Sequence, residues 1–198
     1  GMVTALTYEA KARGITRCML ISEAKKICPE VVVIESDYET YCIYSQRMAS
    51  IVRRYTPEVE EYSIDECFAE LTGQDEYFKV PYEEIVRRIK YDLDTELGMT
   101  FSLGLSTTKV LAKVGSKWKK PSGLTCIQPE DITTYLKELS IGKVWGIGSQ
   151  TAFLLNRFGV KTADDFASKS EEWVHKNLAK PYLEIWKELK GESVLELN

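Results

Sequence analysis

The fold is decided by the stretch VEEYSIDECFAEL at residues 59–71. It contains two short runs with strand-forming residues, at 59–62 and 67–71, separated by the tetrapeptide SIDE. Two such runs joined by a few polar residues predict a β-hairpin. We therefore expect Asp65 and Glu66 to lie together at the tip of this hairpin.

The paired carboxylates of Asp65 and Glu66 predict a cation site. Adjacent residues on a regular strand point to opposite faces, but the backbone turns at a hairpin tip and both carboxylates can lean to one side. Two close carboxylates repel each other and favour a bound divalent cation. Mg²⁺ takes one or two protein carboxylates and completes its shell with water and phosphate oxygens, so the pair suits a nucleotide site. A solvated acidic turn that follows Glu58, Glu60 and Glu61 is the alternative interpretation.

The residues around the hairpin predict an α+β chain. Apolar residues three or four positions apart predict helices at 41–55, 82–93 and 110–118, and Ser22 is placed to cap a short helix at 23–27. A β-branched run at 31–34, an alternating segment at 99–105 and residues 124–127 predict strands of an antiparallel sheet. After residue 128 only short helices with glycine breaks are predicted, so we place a domain boundary there.

The charge of the chain is unevenly distributed. The 198 residues include 26 Lys and Arg against 30 Asp and Glu, and the net charge of −4 alone argues against nucleic acid as a partner. Residues 101–161, however, hold nine Lys and Arg and only three acids, so this stretch carries +6 and the remainder −10. Such asymmetry is typical of a polyanion-binding surface on an acidic body. A solvated lysine-rich helix is the alternative.

The lysines of the helix at 110–118 are regularly spaced. Lys109, Lys113 and Lys117 recur every four residues and therefore predict one basic face. A row of ammonium groups beside the carboxylate pair could hold the triphosphate of a nucleotide.

The pentapeptide WGIGS at 145–149 predicts a tight turn between two helices. Two glycines around one apolar residue permit such a turn, and the serine can cap the second helix. The N–H groups of the turn and of the helix N-terminus then suit a DNA phosphate, contacted without reading the bases. With Val160 and Ile147 packed inward, the pattern is that of a helix-hairpin-helix; a plain packing element is the alternative. The residues assigned to the DNA contact are Lys143, Gly146, Ile147, Gly148 and Ser149.

Cysteine usage and hydropathy exclude several classes of protein. The five cysteines are scattered and include no CxxC pair, which argues against a disulfide scaffold or a zinc site and favours a reducing compartment. No apolar run approaches the roughly 20 residues of a membrane span, and no signal-peptide pattern opens the chain. We expect a cytoplasmic protein with no membrane partner.

Four stretches together resemble the Y-family of translesion DNA polymerases, the group related to bacterial DNA polymerase IV. They are TYEAKARG at 7–14, YSIDE at 62–66, the segment from GLS to KPSG at 104–123, and residues 144–160, in the order and at the spacing of that family. The resemblance implies a partial right-hand polymerase core. Residues 1–36 would be part of the fingers, 37–127 an antiparallel-sheet palm and 128–198 an all-helical thumb with the helix-hairpin-helix.

The resemblance also implies an activity and the residues that perform it. The reaction would be template-directed transfer of deoxynucleotides from dNTPs to a primer 3′ end, with two Mg²⁺ ions, in DNA repair and damage tolerance. Asp65 and Glu66 would be catalytic metal ligands, with Glu66 nearer the primer terminus. Tyr8, Lys11 and Lys120 would bind the triphosphate, although many members have arginine in place of Lys11. The implied partners are primer–template DNA, a dNTP and a sliding clamp.

Two departures from the family pattern affect this interpretation. The family begins with a strand that carries an Asp-x-Asp motif and a ribonucleotide-excluding aromatic residue, and it continues into a little-finger domain; this sequence starts after the first and stops before the second. We therefore expect a fragment with an incomplete metal site and little activity alone. A non-catalytic helix-hairpin-helix DNA-binding module and another palm-type enzyme, such as a nucleotidyl cyclase, stay open as alternatives.

Overall fold

The computed structural model describes all residues from 1 to 198, which divide into two compact units, residues 1–38 and 39–198. The first unit contains the helices α1 (Tyr8–Ala12) and α2 (Ile21–Ile27). The second contains α3 (Tyr38–Val52) from its second residue onward, followed by β1 (Val59–Ser63), β2 (Glu66–Ala69), α4 (Gln74–Phe78), α5 (Tyr82–Leu97), β3 (Leu103–Leu105), α6 (Lys109–Trp118), β4 (Leu124–Cys126), α7 (Ile132–Glu138), α8 (Ser149–Arg157), α9 (Ala163–Ala167), α10 (Glu171–Asn177) and α11 (Lys180–Leu189). None of these helices combines the length and the apolar character that crossing a membrane requires.

The first unit departs from two predictions. Helix α2 begins at Ile21, so Ser22 lies inside it; the N-cap is Leu20, whose backbone N–H donates to the Glu23 carboxylate. Residues 31–34 form no strand, and Val32 and Ile34 are 80% and 85% exposed. The β-branched run has strand propensity, but no strand lies beside it to receive its backbone hydrogen bonds.

The predicted hairpin is confirmed. Strands β1 and β2 pair antiparallel, with Val59 opposite Ala69, Glu60 opposite Phe68, and an irregularity before the last pair of the ladder. That last pair is Ser63 with Glu66, so only two residues, at positions 64 and 65, form the connecting turn. A two-residue connection is the commonest way to join antiparallel strands.

The second pair of strands corrects the prediction of an antiparallel sheet. Strands β3 and β4 are parallel and form a sheet separate from the hairpin. Helix α6 connects them, and a helical crossover returns the chain in the same direction. The helix lies directly on β3, because a Cβ built at Gly104 would come within 2.0 Å of the Ala112 carbonyl oxygen. Glycine at this position therefore permits the contact between helix and strand.

Two hydrophobic cores hold the second unit together. One joins α3 and α5 with the strands and includes Met48, Ile51, Ile85 and Ile89. The other joins α6 with the helices that follow residue 128 and includes the following buried residues: Val110, Leu111, Val114, Ile147, Leu155, Val160, Phe166 and Trp186. No strand follows Cys126. The divisions at residues 36/37 and 127/128 remain predictions.

A fully buried carboxylate joins α6, α11 and the end of the chain. Glu188 accepts hydrogen bonds from the backbone N–H groups of Val110 (3.1 Å), Val194 (2.8 Å) and Leu195 (2.9 Å). The hydroxyl of Thr108 donates to the Glu188 carbonyl oxygen at 2.9 Å. A buried charge is tolerated when it is hydrogen-bonded in this way, and here it also lies at the positive end of α6.

Candidate functional site

The hairpin turn presents Asp65 to solvent. The hydroxyl of Ser63, the last residue of β1, donates to Asp65 Oδ1 in the turn at 2.8 Å. Asp65 is exposed. The local structure therefore holds one carboxylate oxygen with a neutral hydroxyl and leaves the charge of Asp65 uncompensated by any lysine or arginine.

Glu66, in contrast, is paired within the protein. Its carboxylate forms an ion pair with the ammonium group of Lys113 on α6, whose side chain is only 8% exposed while that of Glu66 is 33% exposed. The same ammonium lies 5.6 Å from the centre of the Tyr62 ring. A lysine this buried needs an opposite charge, so the pairing fixes Glu66 relative to α6.

A second lysine of α6 repeats the arrangement closer to the base of the hairpin. Lys109 Nζ lies 2.5 Å from Glu60 Oε2; the Glu60 side chain is buried and that of Lys109 is 11% exposed. Lys109 also lies 4.9 Å from the Phe68 ring centre and donates to the Glu196 carbonyl oxygen at 3.0 Å. The backbone N–H of Asn198 donates to the same Glu60 carboxylate.

These pairs correct the prediction that three lysines of α6 form a free basic row. Lys109 and Lys113 are on one helix face as expected, but hairpin carboxylates neutralise both. Only Lys117 projects to solvent. Partial burial, together with the nearby ammonium groups of Lys113, Lys120 and Lys143, lowers the pKa of Lys117, and the Glu66 carboxylate opposes that effect.

Lys120 lies in a compact turn between α6 and β4. It is exposed, it precedes Pro121 through a cis peptide bond, and Ser122 has a left-handed φ of 60°. A Cβ at Gly123 would come within 2.2 Å of the Lys119 carbonyl oxygen. The turn is therefore folded tightly back onto the end of α6, and the Lys120 side chain is free to meet a ligand.

Tyr8 and Lys11, the other predicted triphosphate ligands, both lie in α1 of the first unit. This helix begins after Thr7, whose hydroxyl accepts a hydrogen bond from the Ala10 N–H at 3.2 Å. Both predicted residues are exposed. They are three positions apart, so they share one side of the helix.

The glycine turn has two different glycines. Gly146 has a φ of +85°, and a Cβ there would lie 2.6 Å from Ile185 Cδ1; Gly148 has a φ of −76° and open space around it. Ile147 between them is buried, as predicted. Gly146 is thus required by backbone and packing, whereas nothing in the folded chain requires Gly148 to be glycine.

The prediction that Ser149 caps the second helix is wrong. Helix α8 begins at Ser149, its N-cap is Gly148, and no side chain caps it. The first N–H groups of α8 therefore have no side-chain acceptor. The element before the turn is also shorter than expected: Lys143, which is exposed, ends a 3₁₀ turn of residues Ile141–Lys143.

Trp145, which sequence reasoning did not assign, connects the glycine turn to the hairpin. Its indole Nε1 donates to the Tyr62 hydroxyl at 3.2 Å, and its ring lies 5.3 Å from the Tyr62 ring and 5.4 Å from the Phe68 ring. Such aromatic contacts add to the burial that fixes two elements. The hairpin and the turn are therefore in direct contact. Aromatic residues beside both motifs were the only sequence signal for this contact.

The metal-binding capacity of the chain is limited. No three His, Cys, Asp or Glu side chains among residues 1–198 cluster closely enough to hold an ion. Asp65 and Glu66 offer two carboxylates, which fits Mg²⁺ with the rest of its shell from water and phosphate. Cys67 beside them is no ligand candidate, because burial and then the charge of Glu61 raise the pKa of its thiol to about 11.

A cleft of about 800 Å³ lies elsewhere in the second unit. It is lined by β2, the end of β3 and residues 193–197 of the tail. Of the residues predicted to bind metal, nucleotide or DNA, only Lys109 lines it, and Lys109 is paired with Glu60.

The chain is similar in sequence to a known family and to named DNA polymerases. Residues 1–117 match the model of the impB/mucB/samB family. The DNA polymerase IV of Alkaliphilus oremlandii (strain OhILAs) is 34% identical over 191 residues, which cover 96% of this chain and 48% of that relative. The chain spans about half the length of the curated relatives it matches.

Two solved structures share the fold. A crystal structure of DinB from Sulfolobus solfataricus has a TM-score of 0.82 and 29% identity, covering 96% of this chain and 56% of that one. An insertion ternary complex of Dbh DNA polymerase has a TM-score of 0.84 and 27% identity, covering 96% and 55%. The expected α+β polymerase-core fold is confirmed. With a family model that matches more than half of its residues, the chain belongs to the impB/mucB/samB family, within the Y-family of DNA polymerases.

Proposed function

We propose that this chain provides the palm carboxylates and the DNA-holding thumb of a translesion DNA polymerase. The reaction is template-directed transfer of deoxynucleotides from dNTPs to a primer 3′ end. The observation that carries the proposal is the contact between the SIDE hairpin and the glycine turn through Trp145. This contact joins a carboxylate pair and a phosphate-binding turn, the two parts that nucleotide transfer to DNA needs.

Asp65 and Glu66 are the proposed ligands of Mg²⁺. A divalent ion there would lower the pKa of the primer 3′-hydroxyl and neutralise charge on the triphosphate. Asp65 has no cationic partner and supplies a free carboxylate oxygen. Glu66 shares its carboxylate with Lys113, which limits the orientations that Glu66 can adopt. A second Mg²⁺ needs carboxylate ligands beyond these two.

The triphosphate is proposed to bind exposed cations and a hydroxyl. In the second unit, Lys120 is the proposed cation. In the first unit, the Lys11 ammonium group and the Tyr8 hydroxyl are proposed as ligands on the family resemblance. Lys109 and Lys113 are excluded from this role by their pairing with the hairpin.

Primer–template DNA is proposed to bind at the glycine turn. The uncapped N–H groups at the start of α8 point their partial positive charge at a phosphate, and Gly148 allows the DNA backbone to approach. Lys143 adds a charge beside the turn. Because these contacts involve the DNA backbone, binding does not depend on sequence.

The proposal that DNA and a nucleotide are the partners is based on similar proteins. One similar structure is a ternary complex of Dbh DNA polymerase, and we extend DNA and dNTP binding to this chain on that basis. A role in DNA damage tolerance, a cytoplasmic, nucleoid-associated location and contact with a sliding clamp are part of the same proposal.

A second candidate is a DNA-binding module without catalysis. It is favoured by the ion pair that occupies Glu66 and by the lack of a third carboxylate at the hairpin. Binding of DNA with no dependence of dNTP binding on Asp65 would identify it.

Primer extension by the natural protein that contains these 198 residues tests the proposal. We expect Asp65→Asn to lower the Mg²⁺-dependent extension rate at least about 100-fold and Glu66→Gln to lower it less. Glu61→Gln is the matched control, since Glu61 lies on the same hairpin but pairs with Arg53 at 2.7 Å. Wild-type extension rates for both Asp65→Asn and Glu66→Gln would show that the proposal is wrong.

A further inference from the structure

Lys90 of α5 has an ammonium group with all three of its donors in use. It donates to Asp94 Oδ2 at 2.6 Å, to the Phe101 carbonyl oxygen at 2.8 Å and to Ser122 Oγ at 3.0 Å. Its side chain is 16% exposed. An ammonium group has three N–H donors and no acceptor, so Lys90 has none left for a ligand.

Asp94 lies on α5 itself, and the other two partners of Lys90 belong to two separate chain segments that α5 brings together. Asp94 uses its other oxygen to accept from the Phe101 N–H at 2.9 Å, which fixes the segment leading into β3. Ser122 belongs to the turn between α6 and β4 that carries Lys120. The ammonium of Lys90 therefore links this turn to the start of β3.

The segment that leads into β3 also holds the turn directly. The Gly123 N–H donates to Ser102 Oγ at 3.2 Å, and the Leu103 N–H donates to the Gly123 carbonyl oxygen at 2.9 Å. On its other side, Gly123 has no room for a Cβ beside Lys119. With Ser122 and Gly123 fixed, the position of the Lys120 backbone depends on this small network.

We infer that Lys90 is a positioning residue for nucleotide binding: it holds the turn of residues 120–123 so that Lys120 meets the triphosphate. The inference rests on the proposed function, because it needs Lys120 to bind the nucleotide. Lys90 itself does not touch the nucleotide. Its effect is transmitted by the hydroxyl of Ser122, so removal of Lys90 leaves Lys120 present but less well placed.

Steady-state primer extension by the natural protein that contains these residues tests this role. We expect Lys90→Met to raise the KM for dNTP about three- to tenfold while kcat and the Kd for primer–template DNA stay within about twofold. Ser122→Ala removes only the link to the turn and keeps the pair of Lys90 with Asp94, so it should raise KM without lowering the Tm. Lys176→Met, a change of an exposed helical lysine elsewhere, should leave all four quantities unchanged.

A double substitution separates positioning from a general loss of structure. If Lys90 acts through Lys120, the variant with both Lys90→Met and Lys120→Ala has the KM of Lys120→Ala alone. An unchanged KM in Lys90→Met and Ser122→Ala, with a raised KM in Lys120→Ala, would overturn the inference and leave the proposed function intact. A KM in the double variant raised by the product of the two single-variant fold increases would also overturn it. Absence of primer extension by the wild type would instead overturn the proposed function, and the inference with it.

Discussion

The hairpin face, where Mg²⁺ is proposed to bind, and the glycine turn, where a DNA phosphate is proposed to bind, are prepared for their ligands in opposite ways. At the hairpin, charged side chains are already paired inside the protein, Glu60 with Lys109 and Glu66 with Lys113, and only Asp65 is left without a cation. At the glycine turn, no charged side chain is needed, because the donors are backbone N–H groups and the space around Gly148 is open.

The difference shows which region is fixed by folding and which is left for a ligand. Buried pairs hold the hairpin against α6 and orient Glu66 before any ligand arrives, which suits a site that must place reacting atoms accurately. The turn, as proposed, needs only to accept a backbone phosphate, whatever the sequence of the DNA. Trp145 contacts the hairpin through Tyr62 and so keeps the two regions together.

The largest effect is expected from Gly146, the glycine of the turn that folding requires. Gly146→Ala combines a left-handed φ with a Cβ 2.6 Å from Ile185 Cδ1, and we expect it to lower the free energy of unfolding by about 3 kcal/mol. In an Ile185→Val background, which removes that methyl group, the cost should be smaller. Urea unfolding measures both; a cost below about 0.5 kcal/mol would contradict the packing described for the turn.

The ion pair at the hairpin should give the next effect. Glu66→Ala leaves the buried Lys113 ammonium without a carboxylate, and we expect a loss of about 2 kcal/mol in the free energy of unfolding. In a Lys113→Met background the same change should cost almost nothing, because the uncompensated charge is gone. Equal costs in both backgrounds, by urea unfolding, would mean that the pair does not fix Glu66.

Gly148 should separate DNA binding from stability. Gly148→Asp places a better N-cap at the start of α8 but also a negative charge where a phosphate is proposed to bind. We expect stability to stay equal or rise, while the Kd for primer–template DNA rises about tenfold, an effect of about 1.4 kcal/mol. Gly148→Asn, an equally good cap without charge, is the control. Equal DNA affinity in the wild type and both variants, measured by fluorescence anisotropy, would remove the phosphate site from the turn.

The smallest effect concerns Lys117, the exposed lysine of α6. Burial and neighbouring cations lower its pKa in the folded chain, so the unfolded chain binds the proton more tightly and the charged lysine opposes folding below that pKa. Lys117→Met should therefore raise stability at pH 7, by at most about 0.5 kcal/mol since solvent screens the charge. The gain should shrink as the pH rises through the folded pKa. A loss of stability at pH 7, measured by urea unfolding, would contradict this sign.

Local pattern was sufficient to predict the hairpin and most helices. The runs on either side of SIDE and the three- and four-residue spacing of α5 and α6 are short-range signals. Pairing direction is not encoded in such signals, so β3 and β4 were expected in an antiparallel sheet although the helix between them favours a parallel pair. The run at 31–34 failed for a related reason, since strand propensity supplies no partner strand.

For the candidate site, residue types could be predicted but not their partners. The spacing of Lys109 and Lys113 places them on one helix face, yet only the folded chain reveals that Glu60 and Glu66 lie opposite. The N-cap of α8 was predicted one position too late, at Ser149, because Gly148 can itself occupy the N-cap position. For the long-range contact of Trp145 with Tyr62, the aromatic residues beside the two motifs were the only signal, and they do not specify which residues meet.

The most direct test of the account is to locate the divalent ion chemically. In this experiment, iron(II) is substituted for Mg²⁺ in the natural protein that contains these residues, with dNTP and primer–template DNA present. Added peroxide then cleaves the protein backbone near the bound ion. We predict a cut within residues 63–67 that requires dNTP and disappears in Asp65→Asn. No cleavage at the hairpin, or cleavage there that Asp65→Asn leaves unchanged, would contradict the claim that this carboxylate pair is the catalytic centre.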